Sequence, residues 1–216
     1  FSEKMIYNEK LRKEAEKEKL HSELTFLKNQ ISPHFFFNTL NNIYSLIEID
    51  AEESKKAVLQ LSKMMRYLLY ESNSSFTSLS KEIEFMKNYV ELMRLRLSYK
   101  VKLKVSFPEK FENIQIPPLL FISFIENAFK HGISYREPSF ITINMSVNNK
   151  EIVFWCSNSI VSNNKKNSET NQNSGIGLEN IKKRLELLYP EKHSLVIRNT
   201  PAYYSVLLSI NIAKNK

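Results

Sequence analysis

The 216-residue chain has few of the residues that staple or punctuate small folds: one cysteine, three glycines and one tryptophan. A lone Cys156 can close no internal disulfide and has no cysteine companions for a zinc cluster, so a disulfide-stapled scaffold and structural zinc are excluded and a reducing compartment is expected. No apolar run approaches the roughly 18 residues that span a bilayer, and the first residues lack the apolar centre of a signal peptide. The chain opens at Phe1 without a methionine, as expected of the downstream part of a longer protein. Its composition is globular, with 42% hydrophobic and 25% charged residues, enough for one large domain or two small ones. The formal charge of +8 is spread along the chain and diluted by glutamate, with no recognition element beside it, so direct nucleic-acid binding is not expected.

Residues 1 to about 28 alternate lysine and glutamate, with pairs such as Glu9/Lys13 and Arg12/Glu16 at i,i+4 spacing, as in a solvated helix or the start of a coiled coil. From Leu20 an apolar seam becomes regular through Leu24, Leu27 and Ile31 and continues at positions 34, 38 and 42. There it holds His34, Asn38 and Asn42, where a plain core would hold leucine. Two readings stand: a histidine hydrogen-bonded to a neighbouring asparagine, or an imidazole nucleophile, a role histidine can take because it is substantially neutral at pH 7. Pro33, one residue earlier, removes an amide donor and is expected to kink the helix.

A second helix is expected over about 52–70 as the other arm of an antiparallel hairpin, and a third from Ser80 to about Ser98. From Val101 the apolar period changes to two, which marks a domain boundary near residue 98 and a strand to Phe107. A helix over 119–131, opened by Pro117-Pro118 and closed by Gly132, precedes strands at 140–147 and 152–157. A polar stretch, Ser162 to Ser174, has no apolar side chain to bury and reads as a lid or a disordered loop. A helix over 178–189 and strands at 195–199 and 204–212 complete the chain. The fold class expected is α+β: a helical hairpin over 1–98, followed over 99–216 by an α/β sandwich whose helices lie on one face of a mixed sheet.

Two further clusters bear chemistry. Gly175-Ile176-Gly177-Leu178 precedes a helix, where glycine lets the backbone approach a ligand and free amides suit a phosphate. Glu126, Asn127, Lys130 and His131 gather oxygen ligands for a hard cation with donors for phosphate oxygens. Each alone also reads blandly, as a turn and as a solvated helix end.

Together with the P-H-F-x-F-N-T-L-N run around His34, these motifs make the chain resemble, from about Leu20 to its end, the LytS/YehU-type sensor histidine kinases. Leu79 to Ile83, Tyr89, Arg94, Arg96, Asn180, Arg184, Leu185 and Tyr189 carry the same resemblance. It implies a homodimer whose hairpins present His34 as phosphoacceptor, with Asn38 orienting the ring, joined to an ATP-binding domain of the Bergerat (GHKL) type. It implies ATP and Mg²⁺ as cofactors, with Asn127 on the metal, Glu126 a second candidate ligand, Lys130 and His131 near the phosphates, and Gly175, Gly177 and Leu178 receiving them. It further implies a response regulator as partner, commonly of LytTR type, and a place on the cytoplasmic side of a membrane reached through an upstream region.

Three departures or absences can be argued from the residues. Ser123 stands four positions before Asn127, where hydrolysing relatives carry a glutamate, and serine is a poor general base, so wasteful hydrolysis is disfavoured. Asn158 takes the place of the adenine-reading aspartate; its amide accepts a hydrogen bond without the charge-assisted strength, so a lower ATP affinity is expected. Phe35 follows His34 where other histidine kinases place an acid, and Asn38 cannot take a proton. The rival reading is a degenerate, non-catalytic partner of the same fold, which the Asn158 exchange favours.

Overall fold

The computed structural model describes residues 33–72, 74–160 and 172–213, with the side chains of 33–34 and 172–177 left out. The coiled coil expected before residue 28, the kink expected at Pro33 and most of the polar loop lie outside the described residues. The first two helices, α1 (Pro33–Ile47) and α2 (Ala51–Arg66), form the expected hairpin. Asp50 caps α2, its carboxylate accepting from the Glu53 amide at 2.9 Å. The Ser54 hydroxyl donates to the Ile43 carbonyl at 3.0 Å and ties the two helices together.

The face of α1 that is buried runs through Thr39 and Ile43, with Phe35 and Phe36 partly covered. The seam through positions 38 and 42 is therefore displaced by one residue: Asn38 and Asn42 lie at its half-buried edge. Spacing alone cannot separate two adjacent stripes of a helix when the polar residues that mark the border are themselves candidates for burial.

The helix expected over 52–70 ends as an α-helix at Arg66 and continues as a π-helical turn, Tyr67–Glu71, in which the Ser72 amide donates to the Tyr67 carbonyl at 2.9 Å. That wide turn buries Tyr67, whose ring stacks on Phe85 at 4.7 Å. A two-residue strand, β1 (Thr77–Ser78), leads into α3 (Leu79–Arg94). The first amides of α3 are satisfied from outside the helix, Leu79 by the Ile114 carbonyl and Ser80 by the Asn113 side chain.

Then follow β2 (Val101–Ser106), β3 (Gln115–Ile116), α4 (Ile122–Gly132), β4 (Ser139–Val147), β5 (Glu151–Ser159), α5 (Gln172–Leu188), β6 (His193–Asn199) and β7 (Tyr203–Asn211). The large sheet has the order β2-β4-β5-β7-β6, with β2 parallel to β4 and the other pairs antiparallel, so it is mixed. Residues of β4, β5 and β7 at alternate positions, Ile141, Ile143, Ile152, Phe154, Val206, Leu208 and Ile210 among them, are buried under the helices. The α+β class, with a helical hairpin followed by a sandwich on a mixed sheet, is the one expected from the sequence.

Packing does not break at residue 98. Strand β1 pairs antiparallel with β3, Thr77 opposite Ile116, and Tyr89 of α3 meets Phe129 of α4 edge-on at 6.0 Å. The change of period at Val101 marks a change of element type, while α3, which precedes it, packs on both the hairpin and the sandwich.

Candidate functional site

Helix α4 lies on the sheet because Ile122, Phe124, Ile125, Ala128 and Phe129 bury one broad stripe against it. That leaves Asn127 and His131 half-covered and Lys130 exposed, on consecutive turns of the other side, with Ser123 one turn earlier. Burial, and then the neighbouring Lys130 charge, hold His131 below its usual value, so at neutral pH it is an uncharged donor or acceptor. Burial pushes the Glu126 carboxyl up to about 8, against the opposing pull of Lys130. Among the described residues no cluster of three or more histidine, cysteine, aspartate or glutamate side chains could hold a metal ion.

The inward line of β5 runs Ile152, Phe154, Cys156 and then Asn158, a polar residue continuing an apolar stripe at 2% exposure. Its Nδ2 donates to the Ser159 carbonyl at 2.9 Å, which turns the amide so that Oδ1 is the atom suited to accept from a ligand. Gly132 closes α4 directly against it: a Cβ there would stand 2.6 Å from the Asn158 Cβ. The Ser159 hydroxyl bonds the Gly132 carbonyl at 3.0 Å and accepts from the Phe140 amide at 3.1 Å, fixing the end of α4 to two strands. Spacing alone assigns Gly132 the end of the helix and gives Ser159 no role. The scarcity of glycine and the polar break in a strand's apolar alternation were the signals available.

The structure thus brings Asn158 to the end of the helix that carries Asn127, Lys130 and His131. Gly175 and Gly177 lie within α5, which begins at Gln172 and not at Leu178 as expected. Apolar periodicity could not detect this first stretch because Gln172, Asn173 and Ser174 carry no apolar side chain. Leu178 is half-buried against the core. His34 and Asn38 lie on α1, away from this group in sequence; the link is aromatic, Phe35 stacking on Tyr89 at 5.0 Å and Tyr89 meeting Phe129 of α4.

Residues 22–101 match the profile of the family described as Histidine kinase. The Sensor protein LytS of Oceanobacillus iheyensis is 32% identical over 203 residues, covering 89% of this chain and 34% of that protein. The Sensor histidine kinase/phosphatase LytS of a Staphylococcus aureus strain is 28% identical over 189 residues, covering 83% of this chain and 32% of that one. The chain therefore spans about a third of the length of the curated relatives it matches. The histidine kinase domain from Erythrobacter litoralis EL346 aligns with 89% of this chain and 94% of its own length at a TM-score of 0.45 and 13% identity, a loose likeness. Over residues 22–101 the chain matches the histidine kinase family, and over most of its length it is similar to sensor proteins of the LytS type.

Proposed function

We propose that the chain is the kinase core of a two-component sensor, autophosphorylating on His34 from ATP and passing the phosphoryl group to a response-regulator aspartate, commonly in a regulator of LytTR type. The observation that carries this reading is the arrangement around α4: Asn127, Lys130 and His131 on one side of the helix, whose end is packed by Gly132 onto the buried amide of Asn158. Asn158 offers an acceptor for an adenine amino group, and glycine at position 132 lets the end of α4 pack directly onto it, since a Cβ there would stand 2.6 Å from the Asn158 Cβ.

When bound, ATP supplies the phosphoryl group and Mg²⁺ neutralises its oxygens. The chain's own residues position and neutralise: the Asn127 oxygen serves the cation, Lys130 gives a fixed positive charge, and neutral His131 gives a donor. Gly175, Gly177 and Leu178 lie in the first two turns of α5, whose N-terminal end carries the free amides and partial positive charge that suit phosphate oxygens. Ser123 holds no proton-accepting group where water would be activated, which favours transfer to a side chain over hydrolysis. At His34 an imidazole nitrogen forms the bond to phosphorus as the bond to the ADP oxygen breaks.

The hairpin supports a homodimer. Phe37, Leu40, Tyr44 and Ile47 recur at 3-4-3 spacing along α1 and are each at least half exposed, a stripe that a second copy would cover. Among the described residues no helix is long and apolar enough to cross a membrane. Attachment to a membrane sensor through an upstream region, with this part on the cytoplasmic side, belongs to the same proposal.

The test is incubation with Mg²⁺ and γ-labelled ATP, followed by an acid-lability assay. Acid-labile label is expected on the wild type and on neither His34→Gln nor Asn127→Ala. Label retained by His34→Gln would overturn the phosphoacceptor assignment. A second reading, a non-catalytic partner of the same fold, is favoured by one observation: an amide at Asn158 in place of a carboxylate. Absence of both label and nucleotide binding would decide for it.

A further inference from the structure

Three features that each cost free energy meet at one carboxylate. Glu82 of α3 is fully buried, and a charge in such a place is expensive unless it is paired. Its Oε2 accepts from the Tyr67 hydroxyl and from the Leu119 amide, the latter at 3.0 Å. Tyr67 opens the π-helical turn that follows α2, a conformation that is rare and concentrates at functional positions. Leu119 has φ +59°, the left-handed region that a leucine seldom adopts. The buried Arg184 of α5 adds its positive charge to the surroundings of Glu82.

Each partner belongs to a different part of the proposed machine. Tyr67 ends the hairpin. Leu119 stands three residues before α4, the helix of Asn127, Lys130 and His131. Arg184 lies on α5, the helix that contains Gly175 and Gly177. Packing alone needs none of this polarity, because the Tyr67 ring already stacks on Phe85 and an apolar residue at position 82 would fill the same core. A fully buried polar junction gives up stability for one defined arrangement.

We propose that Glu82, held by the Tyr67 hydroxyl, is a positioning residue that sets the place of α4 for nucleotide through the Leu119 amide and ties it to the end of hairpin helix α2. The inference rests on the nucleotide-binding reading given above. It makes the α2 end a point from which a movement of the hairpin reaches the helix of Asn127, Lys130 and His131 through one hydrogen-bonded group.

Tyr67→Phe is the cleanest probe, since it keeps the ring and its stacking and removes only the donor. Glu82→Gln keeps an acceptor for Leu119 and removes the charge. Each variant is compared with wild type by calorimetric titration with a non-hydrolysable ATP analogue and Mg²⁺, and by deuterium exchange of the nucleotide-free protein. Tyr67→Phe is expected to stay folded, to bind the analogue about three- to tenfold more weakly, and to speed exchange locally in the peptide containing Leu119. Glu82→Gln is expected to weaken binding at least as much, and the double variant no more than Glu82→Gln alone, because the hydroxyl acts through the carboxylate. Tyr67→Phe reports on the proposal even should Glu82→Gln fail to fold. Analogue affinity within about twofold of wild type in Tyr67→Phe, with exchange either unchanged or faster throughout the protein, would mean a merely structural bond and overturn the proposal. A wild type that binds no analogue overturns the nucleotide reading and this one together; a wild type that binds, with insensitive variants, overturns this one alone.

Discussion

Along β5 the inward residues Ile152, Phe154 and Cys156 keep 3% or less of their surface, whereas along α1 Phe37, Leu40, Tyr44 and Ile47 keep half or more of theirs. Both segments are rich in large apolar side chains. The sheet face is covered within the chain, by α4 and α5, while one stripe of the hairpin has no cover within the chain among the described residues. The sheet face is therefore closed within the chain, and the exposed stripe of the hairpin is built to be completed against another surface. On the function proposed above, the part that would bind nucleotide is closed within the chain, while the part that would present His34 is set by assembly.

The largest effect that would sharpen this contrast is expected in the sheet. Phe154, fully buried and tilted against Phe121 at 5.1 Å, should cost about 3–5 kcal/mol when changed to alanine, read by urea denaturation. Gly132→Ala should cost about 1–3 kcal/mol, because a Cβ 2.6 Å from that of Asn158 forces the end of α4 away from β5; analogue binding should weaken with it.

A pH-dependent change is expected at Glu126. Its folded carboxyl is raised from 4.5 to about 8, so between those values the folded chain holds a proton that the unfolded chain releases. Stability is therefore present in full at the acid end of this window and is lost as pH rises towards 8. Glu126→Gln should flatten that fall in denaturation curves taken across the window; an unchanged slope would place the titrating group elsewhere.

The smallest change in stability is expected on the stripe. Phe37→Ser with Tyr44→Ser should alter unfolding of the single chain by less than about 0.5 kcal/mol. The same pair should convert a dimer to a monomer in sedimentation. A large loss of monomer stability there would erase the distinction between the two regions.

The positions of the strands were legible because alternation is a strong local signal: β2 and β4 start and stop within a residue or so of the expected limits. The helical class of the other segments was equally plain, since their apolar stripes recur every three or four residues. The π-helical turn at Tyr67 was not, because nothing in a local pattern distinguishes a wide turn from an α-helical one. Nor was the pairing of β1 with β3, where two residues are too few to show a period.

At the site, Asn127, Lys130 and His131 were identifiable as a group on one helix, because spacing fixes which residues of a helix are neighbours. The closeness of Gly132 to Asn158, separated by 26 positions, could not be read from spacing, nor could the convergence of Tyr67 and Leu119 on Glu82.

The sequence by itself determined the class of the fold, the helical and strand periods, the neighbours along each helix and the chemical types available, because these follow from backbone geometry over a few residues. The tertiary structure decided which stripe of α1 is buried, that α3 belongs to both the hairpin and the sandwich, and which polar groups share the interior. Those outcomes depend on contacts between residues far apart in the chain, where close packing and the need to pair every buried polar group act on the whole molecule at once.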